Sequence, residues 1–216
     1  MTDRVVHIVE DDAQVRETLR MVVESAGHNV RAHPTAEAFL AALPGENPGC
    51  VVTDVRMPGM DGLELLARLN LHAPDLPVLV ITGHGDVAMA VRALKSGAID
   101  FIEKPFDIDA LLTSLAAALE RGRRAATHRR AQQDARDRLD RLTDRERQVM
   151  SLVVDGLSNA AVADSLGISI RTVENHRARL LEKLQARGLS ELVKLQMLVN
   201  ETVRVIHPQS GTNFGP

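Results

Sequence analysis

Five short apolar runs, each followed by a helix-length amphipathic stretch, fill residues 4 to about 119 and restrict the fold more than any other feature. The runs are Val5 to Val9, Val30 to Ala32, Cys50 to Thr53, Val78 to Ile81 and Ile99 to Ile102. Helical spacing occupies Ala13 to Ser25, Ala36 to Leu43, Gly62 to Leu69, Val87 to Lys95 and Asp109 to Leu119. Five such runs alternating with five helices read as the strands of a parallel sheet covered on both faces by its crossover helices. The pattern predicts an α/β, doubly wound, five-stranded parallel sheet. Such sheets bind ligands beyond the carboxyl ends of their strands, so the chemistry is sought there.

The residues at those ends are Glu10-Asp11-Asp12 after the first run, Asp54 after the third, Thr82 after the fourth and Lys104-Pro105 after the fifth. Carboxylates gathered at one edge repel; two unit charges about 4 Å apart cost ~4 kcal/mol at an effective dielectric of 20. A hard divalent cation with oxygen ligands, Mg2+, answers that repulsion better than a transition metal, and Lys104 adds a fixed positive charge. Thr82 brings a hydroxyl able to donate to an anionic oxygen. A carboxylate beside such cations is a workable nucleophile toward a phosphoryl group, and Asp54 is the best placed. The segment Asp54-Val-Arg-Met-Pro58-Gly-Met-Asp61-Gly62 turns sharply after it. Taken singly, each acidic residue reads equally well as a helix cap or turn residue.

Residues 4 to about 120 resemble the receiver domain of response regulators, and VHIVEDD, VTDVRMPGMDG, ITGHGD and FIEKPF resemble the FixJ group. The resemblance implies a flavodoxin-like strand order 2-1-3-4-5 and phosphorylation of Asp54 by a sensor histidine kinase. It implies a Mg2+ site formed by Asp11, Asp54 and the backbone carbonyl of Arg56, with Glu10 in the family's other acidic position. It also implies that Thr82 and a buried Phe101 form the switch that reports phosphorylation. Many receivers carry Tyr where this chain has Phe101, so a hydroxyl contact is lost.

After Leu142 come four short helix signals. Thr143-Asp-Arg-Glu146 has capping-box spacing, Ser158 opens a helix over Asn159 to Leu166, and Ser190 opens the last, to about Val199. Between them Gly167-Ile168-Ser169 makes a tight turn into a helix reaching about Gln185, which is helix-turn-helix spacing. In that helix the apolar positions 170, 173, 180, 181 and 184 predict the buried face, and Arg171, Glu174, Asn175, Ala178 and Glu182 the opposite one. Asn can bind adenine bidentately, Glu can accept from cytosine and Ala can meet a thymine methyl. Thr172, Arg177, Arg179 and Lys183 flank this face as candidate phosphate contacts. Residues 142 to 199, with LTDRERQVM, GLSNAAVADSLGIS and RTVENHRARLLEKL, resemble a LuxR/NarL-type DNA-binding domain. That resemblance implies double-stranded DNA as a partner, an activator contacting RNA polymerase, and pairing of two chains through the last helix; receivers pair through the fourth helix and fifth strand.

The formal charge of -3 conceals an asymmetry: residues 1 to 120 carry -9, residues 121 to 141 carry +5 and residues 142 to 216 carry +1. This divides the chain into an acidic domain over 1–120, a basic helical linker over 121–141, a small all-α four-helix domain over 142–200 and a loose tail over 201–216. Gly122 is the one residue opposing a helical linker. A charge of +1 is low for a lone DNA binder, which favours a homodimer on a two-fold operator. Aromatic residues make up 2% of the chain, with no Trp and no Tyr, which disfavours base stacking on aromatic rings. Cys50, the single cysteine, precludes an intramolecular disulfide or a multi-cysteine zinc site and suits a reducing compartment. The N-terminus lacks a basic region followed by a long apolar run, and no stretch approaches ~18 apolar residues; the expectation is a cytoplasmic protein without a membrane segment.

Two other readings fit parts of the pattern. A magnesium-dependent phosphohydrolase would use the same acidic edge, but Asp54-Val-Arg56 lacks a second carboxylate two residues on, and no Gly-rich loop follows the first run. A phosphorylation-independent dimeric regulator would keep the DNA-binding half and make the acidic domain a pairing unit.

Overall fold

The computed structural model describes residues 5–43, 48–83 and 87–206 and divides the chain into two compact units, Met1–Ala126 and Thr127–Pro216. In the first unit β1 (Val5–Val9), β2 (Asn29–His33), β3 (Pro48–Asp54), β4 (Val78–Thr82) and β5 (Asp100–Glu103) form one parallel sheet in the order β2-β1-β3-β4-β5. The helices α1 (Ala13–Ser25), α2 (Ala36–Ala42), α3 (Gly62–His72), α4 (Val87–Lys95) and α5 (Ile108–Leu139) alternate with the strands. Side chains two apart along a strand share a face. Val6, Ile8, Cys50, Val52, Leu79 and Ile81 therefore join one core, with Leu111 and Leu115 of α5. Val9, Val51, Val78 and Val80 join the other, with Phe39 of α2 and Leu65, Leu66 and Leu69 of α3. With no Trp or Tyr, branched aliphatic packing does this work, and among the described residues Phe39 is the one fully buried phenylalanine, edge-on to His7 and His33. Cys50 lies wholly buried in the sheet, and burial pushes its thiol well above the usual range.

Asp12, Thr35 and Asp61 cap α1, α2 and α3 by accepting from backbone N–H groups of the first turn, so each strand-to-helix corner is fixed by its own sequence. These caps hold the loops at the carboxyl edge of the sheet.

The expected break between a receiver helix ending near Leu119 and a separate linker helix is not found: α5 runs without interruption from Ile108 to Leu139. Gly122 does not disrupt it. This glycine is buried, and a Cβ there would lie 2.9 Å from the carbonyl oxygen of Gly49 and 2.9 Å from Cγ of Pro77. It serves close approach of the helix to the sheet, which outweighs its low helix propensity.

In the second unit α6 (Asp144–Val154), α7 (Asn159–Leu166), α8 (Ile170–Leu184) and α9 (Leu189–Ile206) enclose a core of Leu142, Val149, Met150, Val153, Val162, Val173, Leu180, Leu184 and Leu192. Thr143 and Glu146 form the predicted capping box. Gly167 ends α7 at φ 65, where a left-handed residue is required, and Ser169 caps α8 two residues on. The last helix overruns its expected end: 201–206 continue α9, and the remainder of the expected tail, 207–216, lies outside the described residues. No helix among the described residues is long and apolar enough to cross a membrane.

Candidate functional site

Parallel pairing of β1, β3, β4 and β5 brings residues far apart in sequence to one edge. Asp54 is the last residue of β3 and Thr82 the last of β4; Glu10 follows β1 directly, and Lys104 follows β5. Lys104 Nζ donates to Oδ1 of Asp54 at 2.8 Å and to Oε2 of Glu10 at 2.7 Å. Glu10, Asp11 and Asp54 each offer a carboxylate oxygen within 4.8 Å of the others. Asp54 and Glu10 are 6% and 2% exposed, whereas the Asp11 side chain faces solvent. The expected convergence of Glu10, Asp11, Asp54 and Lys104 is therefore present, and three carboxylates around one ammonium leave negative charge uncompensated. All-oxygen donors of this kind suit a hard divalent cation.

Thr82 is buried at the end of β4, and its carbonyl accepts from the Lys104 N–H at 2.7 Å. The Arg56 N–H donates to Oδ2 of Asp54 at 2.7 Å, which holds the second carboxylate oxygen and turns the chain away from β3. The Lys104–Pro105 peptide is cis. Phe101, expected to be buried, is only partly so and packs at the margin of the core that contains Phe39 and Leu65, because β5 is an edge strand.

Burial raises the Glu10 carboxyl above its ordinary value, and the Lys104 bond opposes this only in part. Burial also works against the Lys104 cation, but Asp54 and Glu10 together outweigh it and hold the ammonium above its usual value. The pocket thus holds its lysine charged.

Two supports of this edge carried no clear signal in the sequence. A Cβ on Gly62 would collide with the carbonyl oxygen of Asp54, so the first residue of α3 must be glycine for β3 and α3 to meet there. Glu37, at the start of α2, accepts from the Met60 N–H at 3.0 Å and ties down the loop that follows Asp54. A glycine at the first helical position, where a better helix former would serve, is the trace the first of these leaves in the sequence.

On α8, Arg171, Glu174, Asn175, Ala178 and Glu182 are all exposed, as the helical spacing predicts, while Val173, Leu180 and Leu184 are buried. Ile170 departs from expectation: at the first helical position, directly after its cap, it remains 49% exposed. Arg179 is exposed; Thr172 shares a hydroxyl bond with Ser169 at 2.8 Å, and Arg177 Nη1 donates to Oδ1 of Asn159 at 2.6 Å. Lys183, expected as a phosphate contact, donates from Nζ to Oε2 of Glu146 at 2.7 Å, and since that carboxylate is buried the pair also holds α8 to α6. The pair brings the Glu146 carboxyl down to about 2.

Residues 6–116 match the family model of the response regulator receiver domain, and residues 140–196 that of the bacterial regulatory proteins of the luxR family. The transcriptional regulatory protein FixJ of Bradyrhizobium diazoefficiens is 47% identical over 192 residues, covering 89% of this chain and 94% of FixJ. The tetrathionate response regulatory protein TtrR of Salmonella typhimurium is 38% identical over 88% of this chain and 90% of its own length. Among solved structures, the response regulator StyR superposes with a TM-score of 0.81 at 40% identity, covering 91% of this chain and 99% of StyR. Full-length FixJ from B. japonicum gives 0.56 at 45% identity, over 93% and 99% of the two chains.

Proposed function

We propose a mechanism that starts from family membership: the chain belongs to the response regulators of two-component systems, in the FixJ-like group that joins a receiver domain to a LuxR-type DNA-binding domain. It is a phosphorylation-dependent transcription regulator, not a classical enzyme, whose partners are a histidine kinase and DNA. The observation that carries the mechanism is the Lys104 bridge between Asp54 and Glu10, with Asp11 in the same carboxylate cluster.

Asp54 is the phosphoryl acceptor. Its carboxylate oxygen forms a bond to phosphorus as the phosphorus–nitrogen bond of the kinase phosphohistidine breaks, and the imidazole leaves with the electron pair and takes a proton. Glu10, Asp11, Asp54 and the Arg56 carbonyl would hold Mg2+, which supplies positive charge for the transferring oxygens. Lys104 orients Asp54 before transfer and pairs with the new phosphoryl oxygens after it. Thr82 turns its hydroxyl toward those oxygens, and partly buried Phe101 follows by repacking at the sheet edge.

Phosphorylation adds about -1.5 to -2 charges at Asp54, which reorders the face formed by α4 and β5 so that two receivers pair. Two DNA-binding domains then meet through α9 and place two α8 helices on a two-fold operator. Arg171, Glu174, Asn175 and Ala178 read base edges, and Thr172, Arg177 and Arg179 hold phosphates. The domains are the receiver over 1–120 and the DNA-binding domain over 142–200, joined by a linker over 121–141 that continues α5 as far as Leu139. The setting is the cytoplasm, the homodimer is the active form, and it activates by contacting RNA polymerase. The test is sedimentation and operator binding with and without acetyl phosphate: wild type dimerises and binds more tightly, and Asp54→Asn does neither. Equal mass and equal binding in both states would overturn the reading.

A further inference from the structure

We infer that Arg16, on the second turn of α1, is a positioning residue that sets the Mg2+ affinity of the acidic edge by clamping the backbone on both sides of Asp11. This rests on the reading of that edge as the Mg2+ site. Nη1 of Arg16 donates to the carbonyl oxygen of Glu10 at 2.6 Å and to that of Asp11 at 3.0 Å. The Asp11 Cα lies between those two peptide planes. A single guanidinium nitrogen bound to both carbonyls therefore fixes φ and ψ of Asp11, and with them the direction in which its carboxylate leaves the chain.

Asp11 needs such a support more than its neighbours. Lys104 binds the side chains of Glu10 and Asp54 directly, whereas the Asp11 side chain is exposed. Three carboxylates within 4.8 Å repel one another, and the one on a solvent-facing loop is the one that swings away. Arg16 is in turn held by the start of its helix: Asp12 caps α1 by accepting from Gln14 N–H at 2.8 Å and Val15 N–H at 3.0 Å, and its carbonyl accepts from Arg16 N–H at 2.9 Å. The clamp thus closes on a preformed first turn.

The clamp and a bare charge effect predict opposite signs. As a through-space cation, Arg16 repels a divalent ion, so losing it would tighten Mg2+ binding. As a positioning residue its loss weakens binding, by about tenfold, the low end of what support of metal ligands contributes.

The experiment is calorimetric titration of the full chain with Mg2+ at fixed ionic strength, with thermal midpoints recorded in chelator. Arg16→Gln is expected to bind about tenfold more weakly than wild type, and Arg16→Lys, which keeps the charge but ends one bond short of the Nη1 position, to fall between. Arg20→Gln, on the same helix but paired with Glu17 and Glu24, is expected to match wild type, which separates the clamp from a general loss of α1. Wild-type or tighter affinity in Arg16→Gln overturns the inference and leaves the magnesium reading standing. Absence of saturable binding in wild type overturns both. Should Arg16→Gln not fold, Arg16→Lys decides alone: weaker binding supports the clamp and wild-type binding overturns it.

Discussion

Lys104 Nζ lies 2.8 Å from Oδ1 of Asp54, across 50 positions of sequence, and the same nitrogen reaches Glu10 at 2.7 Å. One ammonium therefore neutralises part of a carboxylate cluster that the sheet itself assembles. Replacing it with an uncharged side chain of similar length leaves two buried carboxylates facing each other.

For Lys104→Met in chelator, urea unfolding at neutral pH is expected to show a loss of about 1–3 kcal/mol, the scale of a buried polar group deprived of its partner. The pH dependence follows from Glu10, already raised above 4.5 by burial. A carboxyl whose folded value exceeds its unfolded value favours the fold below the unfolded value and loses that contribution as pH rises through the folded one. The deficit of the variant thus shrinks on acidification toward pH 4.5 and is largest at neutral pH. A deficit that grew on acidification would contradict this account.

At Gly122 two effects oppose each other. Alanine gains about 1 kcal/mol of helix propensity over glycine, but its Cβ would sit 2.9 Å from the Gly49 carbonyl oxygen and from Pro77. Overpacking of this kind costs about 1–3 kcal/mol, so Gly122→Ala is expected to destabilise, measured as a lower urea midpoint with an unchanged slope.

The Glu146–Lys183 pair gives the second unit an acid-sensitive joint. Glu146 is held at about 2, below its ordinary 4.5, chiefly by Lys183, so its contribution is complete above pH 4.5 and is lost as pH falls through about 2. The stability gap between wild type and Glu146→Gln is therefore constant above pH 4.5 and closes below it. Denaturant titrations at stepped pH measure this; a gap that widened with acid would refute the assignment.

On α8 the two kinds of contact separate by their signatures. Asn175→Ala is expected to cost about 1–3 kcal/mol and relax preference at one base position in sites selected from random DNA. Arg179→Ala weakens all sequences alike and lowers the salt slope by about 1.

The sheet and its acidic edge were legible in the sequence where local rules act alone. Strand ends mark where Glu10, Asp54, Thr82 and Lys104 stand, and parallel pairing, implied by the alternation of strands with helices, carries them to one edge. Ser158, Gly167 and Ser169 likewise announce their turn through capping chemistry that needs no tertiary partner. What spacing could not show depends on contacts between elements. Lys183 carries a charge compatible with phosphate, and only the fold places it on buried Glu146. Gly122 reads as a helix breaker until Gly49 and Pro77 are seen beneath it. Periodicity would bury Ile170 and resemblance Phe101, yet both lie where the core ends, at a first helical position and on an edge strand.

The most direct measurement is intact-protein mass spectrometry after incubation with acetyl phosphate and Mg2+. Wild type gains a single phosphoryl group, removed by hydroxylamine as an acyl phosphate is, and Asp54→Asn gains none. Labelling of Asp54→Asn to the wild-type level, or a wild-type chain that stays unlabelled, would contradict the claim that Asp54 is where the signal enters.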